Sequence, residues 1–468
     1  MRPLQRARVM VVDLGFGDAG KGTLTDWLVR TLDARAIVRF NGGAQAGHNV
    51  VTDDGRHHTF AQFGAGSFVP GVQTFLSKHV VFHPTALLVE AEHLSRVGVP
   101  YGLERVHVSE ECLVTTPVHQ AATCIRELAR GDARHGSCGV GVGETMRDAI
   151  AAPRDALRAR DLHDVPHLMR RLALLQESKR SELALELGAM PRSDLAEAQR
   201  LTLEDPAILT AWVEQTRAIV ERPIIQDDRA LRGALTGPGA VIFEGAQGAL
   251  LDEWVGFHPF TTWSTCTFQN ALSLLDEHDS EGDRFRLGVL RSIATRHGAG
   301  PFPTESADVP AGVTREHNDT GPWQGRFRTG WLDAVLARYA LAACGGVDGL
   351  ALTHLDRFLP GAPWQIATRY DLADAGAALV SRSVTGQVED LRVGPRHDLR
   401  HVQALGRALL RARPSYQEVT APPGAMHRAM TSAVEAALGS QVVVTSTGPT
   451  PADKTTHDGR LARGSASR

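Results

Sequence analysis

The chain lacks three features that would each point away from a soluble-type enzyme fold. No apolar run approaches the roughly 18 residues of a membrane helix, so no membrane span is expected. Fifty Lys and Arg stand against 53 Asp and Glu, a net charge of −3, which leaves no basic field to hold nucleic acid. Cysteine is scarce: Cys112, Cys124, Cys138, Cys266 and Cys344 are scattered, odd in number and form no Cys-x-x-Cys pair. That argues against a disulfide framework or a zinc site and for a reducing, cytoplasmic setting. The opening MRPLQRARVMVV has neither the long apolar core nor the small-residue cleavage site of a secretory leader. What remains, 43% hydrophobic and 22% charged over 468 residues, is an ordinary globular composition.

The clearest chemical signal is VMVVDLGFGDAGKGTLTDWL, residues 9–28. Val9-Met10-Val11-Val12 reads as a buried parallel strand, and Leu24, Trp27 and Leu28 recur at helical spacing. Between them lie Gly15, Gly17, Gly20 and Gly22 with Lys21. Glycines let backbone N–H groups approach phosphate oxygens, and the helix N-terminus and lysine add positive potential. A P-loop would follow Gly-Lys with Ser or Thr; here Gly22 stands there, and Asp18 brings a negative charge into the cradle. Such a carboxylate suits a metal ligand or a base acting beside a nucleotide.

Strands and helices alternate along the rest of the chain, which predicts an α/β fold with a mainly parallel central sheet and flanking helices. Residues 150–225 carry leucines at helical spacing among charges and read as an inserted helical subdomain of a single domain, 1–455. His163 and His167 within it have metal-ligand spacing but no third ligand nearby, and read as a solvated face. Gly-rich loops recur at 41–49 and 136–144. Ala240-Val241-Ile242-Phe243 runs into Glu244-Gly245-Ala246-Gln247-Gly248, so carboxylate and amide stand at the carboxyl end of the sheet, where ligands bind. Residues 261–267 are rich in hydroxyls, and 294–305 read as a rigid glycine-punctuated loop. Arg326, Arg328 and Trp331 are expected in a loop before a helix. Asp356, just after the strand 349–352, can accept from both N1 and N2 of guanine. A polar tail, 456–468, is expected to be disordered.

GDAGKG followed by NGGAQAGHN, then FEGAQGALLD, GAGPFPTE, RTGWLD, THLD and STGP in that order, resembles adenylosuccinate synthetase over nearly the whole chain. The resemblance implies a GTP-dependent carbon–nitrogen ligase. GTP phosphorylates the 6-oxo group of an IMP-like nucleotide, and the amine of L-aspartate then displaces phosphate. It implies catalytic roles for Asp18 (base), His48 and Lys21, and Mg2+ held by Asp18 and the carbonyl of Gly47. GTP would be bound by Gly17, Gly20, Lys21, Gly22, His354, Asp356, Ser446 and Gly448. Gln45, Ser137, Cys138, Gln247, Thr262, His297, Arg326 and Arg328 fall at substrate positions, and a homodimer is implied.

The chain departs from the family at Ala19, Ala44, Gln45, Asn49, Ser137, Cys138 and Val140, and has His354 where the family has Lys. Pro322-Trp323-Gln324-Gly325-Arg326-Phe327-Arg328 keeps two of the family's four arginines. Two other readings therefore compete: a paralogue taking a modified purine nucleotide or another amine, and a GTP-binding regulatory protein without catalysis. The second is at odds with keeping both Asp18 and His48.

Overall fold

The computed structural model describes residues 4, 6–309, 323, 325–358, 362–372, 375–422 and 424–462. At its centre is β1 (Arg8–Asp13), buried along its whole length. Its residues alternate between two layers. Val9 and Val11 pack with Leu24, Trp27 and Leu28 of helix α1 (Lys21–Leu32), while Met10 and Val12 pack on the opposite side with Val335 and Leu336. A strand covered on both faces must be apolar throughout, which is why this run reads as VMVV.

Among the described residues the main sheet has ten strands. Their order runs Lys454–Thr456, Val442–Ser446, Gly349–Thr353, Arg284–Arg291, β1, Ala240–Glu244, β2 (Ala34–Arg39), Gln73–Leu76, Val106–Ser109, Ile225–Gln226. All neighbours are parallel except the edge pair Val442–Ser446 and Lys454–Thr456. The expected α/β architecture is therefore present. Because the strands share a direction, Asp13, Arg39, Glu244, Arg291 and Thr353 all stand at one end of the sheet. A second sheet begins with Ile293–His297, antiparallel to Phe327–Asp333, which in turn lies parallel to Trp364–Asp371.

Helices including Val165–Glu182 and Pro206–Val220 are inserted between the adjacent strands Val106–Ser109 and Ile225–Gln226. Leu168, Leu172, Trp212 and Ile219 of these helices share one buried cluster with Leu76 and Val108 of the sheet.

Three sequence expectations need correction. The segment read as a loop from 294 begins as a strand, Ile293–His297. Arg328 and Trp331 lie in the strand Phe327–Asp333, directly followed by the helix Ala334–Ala343, and only Arg326 precedes it. Cross-strand pairing, not local propensity, makes both segments extended. The tail is ordered to Ala462: Lys454–Thr456 pairs with the strand Val442–Ser446, and Leu461 is buried in the cluster that holds Phe285. Residues 463–468 lie outside the described residues.

Candidate active site

The loop after β1 is shaped by a carboxylate that sequence reading passed over. Asp13, the last residue of β1, accepts from the backbone N–H of Gly15 at 2.7 Å and of Ala19 at 3.0 Å, and from Lys21 Nζ at 3.2 Å. Both Asp13 and Lys21 are buried. The loop is thus wrapped around Asp13, and the lysine is fixed before any ligand arrives. An ammonium carries three donors, so two remain beyond the bond to Asp13. Gly22 explains why this is not a P-loop. A Cβ there would lie 2.7 Å from the Cβ of His48, so the position that elsewhere carries Ser or Thr must be bare for His48 to reach the loop.

A cleft of about 480 Å3 runs along these strand ends. Asp18, Lys21, Gln45, His48, Gln247, His297, His354, Asp356, Ser446 and Gly448 all line it, as do Gly17, Gly20, Gly22 and Gly47. Residues some 430 positions apart in sequence, Asp18 and Gly448, meet there because β1 and Val442–Ser446 belong to one sheet. Gln45 Oε1, Gln247 Oε1 and His297 Nδ1 are buried with no hydrogen-bond partner among the described residues. Buried polar atoms are rarely left so, and their grouping along one cleft marks it as made for a polar ligand.

Asp18 sits at φ +60°, a backbone region uncommon outside glycine. Its Oδ2 lies 3.0 Å from His297 Nε2, and its carbonyl accepts from Arg291 Nη1 at 3.1 Å. Burial opposes its charge, but the His297 hydrogen bond and the charges of His297, Lys21 and Arg291 outweigh that and hold its carboxyl below the usual value. It is therefore an anion at neutral pH.

His48 and Glu244 form a buried pair, Nδ1 to Oε1 at 2.5 Å, and Glu244 Oε2 accepts from the N–H of Ala65 at 3.0 Å. Burial, which outweighs the pull of Glu244, together with the charges of Arg39 and Lys21 moves the His48 imidazole below its usual value. Glu244, expected to face ligand, instead uses both oxygens on protein.

Beside the cleft residue Gly448, Lys454 Nζ donates to the carbonyls of Gly448 and Thr450, both at 2.8 Å. Burial brings its ammonium down to about 8, against the charges of Asp453, Asp26 and Asp356. Thr23 Oγ1 donates to the carbonyl of Pro449 at 2.7 Å, joining the first turn of α1 to this loop. His354, at φ +58°, is held by its Nδ1 at 2.8 Å from Thr353 Oγ1. Burial, then Arg291, Arg357 and Lys454, keep it neutral.

Five sequence-named positions do not line the cleft: Ser137, Cys138, Thr262, Arg326 and Arg328. Ser137 lies in a loop whose N–H groups at Gly136 and Ser137 are held by Glu127 Oε2 at 3.0 and 3.4 Å. Thr262 donates its N–H to the carbonyl of Leu251, a cleft residue. Arg328 is committed to the protein. Its Nε and Nη2 reach Glu305 Oε2 at 2.9 and 2.5 Å, and its Nη1 donates to the carbonyls of Gly298 and Gly300. Arg326 is exposed. Asp13, Arg291 and Lys454 were missed as site residues. Asp13 and Lys454 had a signal available, as charged residues beside a glycine-rich motif; Arg291 had none.

A family model described as adenylosuccinate synthetase matches residues 10–453. The adenylosuccinate synthetase of Anaeromyxobacter sp. (strain K) is 35% identical over 350 residues, 74% of this chain and 77% of that one. The enzyme of Neisseria meningitidis serogroup C (strain 053442) is 32% identical over 370 residues, 79% and 81% of the two chains. In fold, the chain matches the fully ligated adenylosuccinate synthetase of Plasmodium falciparum with a TM-score of 0.72 at 21% identity, over 96% of this chain and all of that one. It also matches cyanophage S-2L succinoaminodeoxyadenylate synthetase, bound to dGMP and dATP, with a TM-score of 0.56 at 17% identity over 98% and 97%. With its glycine-rich loop, Asp18 and His48 on one cleft and a match spanning residues 10–453, the chain belongs to the adenylosuccinate synthetase family.

Proposed function

We propose that the cleft carries out the family's GTP-dependent ligation, joining L-aspartate to carbon 6 of an IMP-like purine nucleotide, with Asp18 as base and His48 beside the transferred phosphoryl group. The observation that carries this reading is the cleft itself, which brings Asp18, Lys21 and His48 into one space with Asp356, Ser446 and Gly448. Asp18 takes the N1 proton of the purine, and the electron pair released makes O6 nucleophilic toward the γ-phosphorus of GTP. GDP leaves as the O6–phosphorus bond forms. The amine of aspartate then adds at carbon 6, loses a proton, and inorganic phosphate departs with the former O6. Lys21, fixed by Asp13, offers its remaining donors to phosphate oxygens, whose negative charge grows as the bond to GDP breaks. His48 donates Nδ1–H to Glu244, since a carboxylate only accepts, and this leaves Nε2 for the cleft. Asp356 accepts from guanine N1 and N2, with Ser446 and Gly448 alongside.

Mg2+ fits the donor set. It takes hard oxygen ligands, usually one or two carboxylates completed by substrate phosphates and water. Among the described residues no group of three or more His, Cys, Asp or Glu could hold a metal alone, while Asp18 and Gly47, whose carboxylate and carbonyl would hold the ion, both border the cleft. When bound there the ion offsets phosphate charge. A homodimer is part of the same reading. Trp263, exposed and packed over Gly143, and Ile150, two turns further along that helix and also exposed, are two apolar side chains that a second copy would cover.

The test is direct: purified protein with IMP, L-aspartate, GTP and Mg2+, followed by phosphate release and by the adenylosuccinate chromophore. Formation of product only when all four are present is expected. GTP hydrolysis with no carbon–nitrogen product would overturn the reading, and light scattering decides the dimer.

A further inference from the structure

We infer that His297 is a positioning residue that fixes the carboxylate of Asp18, so that one oxygen is tied and the other is presented to the purine. The inference rests on the reading of Asp18 as the base and names what aims it. Asp18 has a φ of +60° in a glycine-rich turn, a conformation uncommon outside glycine. A base in such a loop needs to be held from outside.

One segment of chain does so at both ends of the residue. Arg291 Nη1 donates to the Asp18 carbonyl at 3.1 Å, and six residues later His297 Nε2 lies 3.0 Å from Asp18 Oδ2. The segment is itself anchored: Ser292 donates its N–H to the Thr353 carbonyl at 3.0 Å and its Oγ to the His354 carbonyl at 2.7 Å. His297 ends the strand Ile293–His297 opposite Phe327, with the two rings 4.9 Å apart and tilted by 54°. Gly298 N–H donates to the Arg326 carbonyl at 3.0 Å. The ring is therefore mounted on paired strands rather than on a loose loop, which is the support a correctly aimed base requires. A carboxylate only accepts, so Nε2 carries the proton that is donated. With Oδ2 engaged by His297, Oδ1 keeps a lone pair for N1–H. His297 thus acts through Asp18, a role different from the direct substrate contact that the family resemblance implies.

The experiment compares His297→Leu, which keeps bulk and removes the donor, with His297→Gln, which keeps a donor of similar reach, and runs Asp18→Asn beside them. For His297→Leu, kcat is expected to fall roughly tenfold, the size of a lost hydrogen bond to a charged group, while KM for GTP stays within about twofold. His297→Gln is expected to recover most of that loss. Thermal melts check folding, and His297→Phe replaces the leucine variant if the latter does not fold. Native turnover without the donor, or an equal fall in both variants, overturns the positioning role. If Asp18→Asn loses turnover while His297→Leu does not, only this inference fails; if Asp18→Asn turns over normally, the reading of the base fails with it.

Discussion

Glu244 Oε1 lies 2.5 Å from His48 Nδ1, and both side chains are buried at the ends of elements nearly 200 residues apart. Burial makes this contact directional. Glu244 cannot donate, so it selects the tautomer in which His48 keeps Nδ1–H and turns Nε2 to the cleft. Glu244→Gln offers an amide that can present N–H instead and reverse the tautomer. Turnover is expected to fall about tenfold to a hundredfold, the range for a hydrogen bond to a charged partner, with KM for GTP little changed. Steady-state kinetics on the folded variant checks this.

Asp18→Asn removes the proton acceptor but keeps the size of the side chain. General-base catalysis contributes about 10²–10⁴, so turnover is expected to fall at least a hundredfold, with nucleotide binding retained. A near-native rate in a folded variant would rule out the role.

Asp356 sets nucleotide choice in this scheme. Its carboxylate, 3.4 Å from Arg357 Nε, can accept two N–H groups, while an asparagine offers one acceptor and a mismatched donor. Asp356→Asn is expected to lose preference for GTP over ATP in a competition assay. A native protein that uses ATP as readily as GTP already refutes the assignment.

The two arginines near the second sheet separate by what they touch. Arg328 is spent on Glu305 and two carbonyls, so Arg328→Ala is expected to cost stability, about 1–3 kcal/mol, read as a lowered melting temperature. Arg326 is exposed, and Arg326→Ala is expected to raise KM for aspartate more than it lowers kcat. The reverse pattern would show that Arg328, despite its internal bonds, is the one that meets substrate.

Asp333 gives a pH signature independent of the cleft chemistry. Burial pushes its carboxyl up to about 6, against the hydrogen bonds from Tyr370 Oη at 2.6 Å and Leu336 N–H at 3.0 Å. A folded value above the unfolded one, about 3.9, stabilises fully below the unfolded value and is lost as pH rises through about 6. Asp333→Asn stays neutral and keeps an N-cap acceptor. Native protein is therefore expected to lose ground to the variant between about pH 4 and 7 in thermal melts.

Much of this was legible before any coordinates. β1, the glycine-rich loop after it and α1 follow from an apolar run, four glycines and helical spacing, because each is a local pattern. Glu244 and Asp356 were visible as carboxylates at strand ends. Their uses were not equally visible: Glu244 turns to His48 and Ala65, which only the packing of distant segments decides. The same holds for Asp13, whose grip on Lys21 is set by how the loop folds back. His297 read as part of a loop because its strand is defined by pairing with Phe327. Polar composition suggested a loose tail, whereas Leu461 is buried and Arg460 lies over the Phe285 ring at 4.7 Å.

The central place of β1 has a consequence for the newborn chain. Arg8 pairs with Val241 on one side and Arg284 on the other, so this strand leaves the ribosome long before either neighbour exists. At about 5–20 residues per second the wait for the first neighbour is roughly 12 to 50 seconds. Throughout it, Val9-Met10-Val11-Val12 has two open edges, and the face of Met10 and Val12 waits longer still for Val335 and Leu336; an unpaired edge of this kind can pair with other nascent chains. The heart of the finished enzyme thus spends much of its synthesis as an unpaired apolar strand, the kind of segment a holding chaperone would cover.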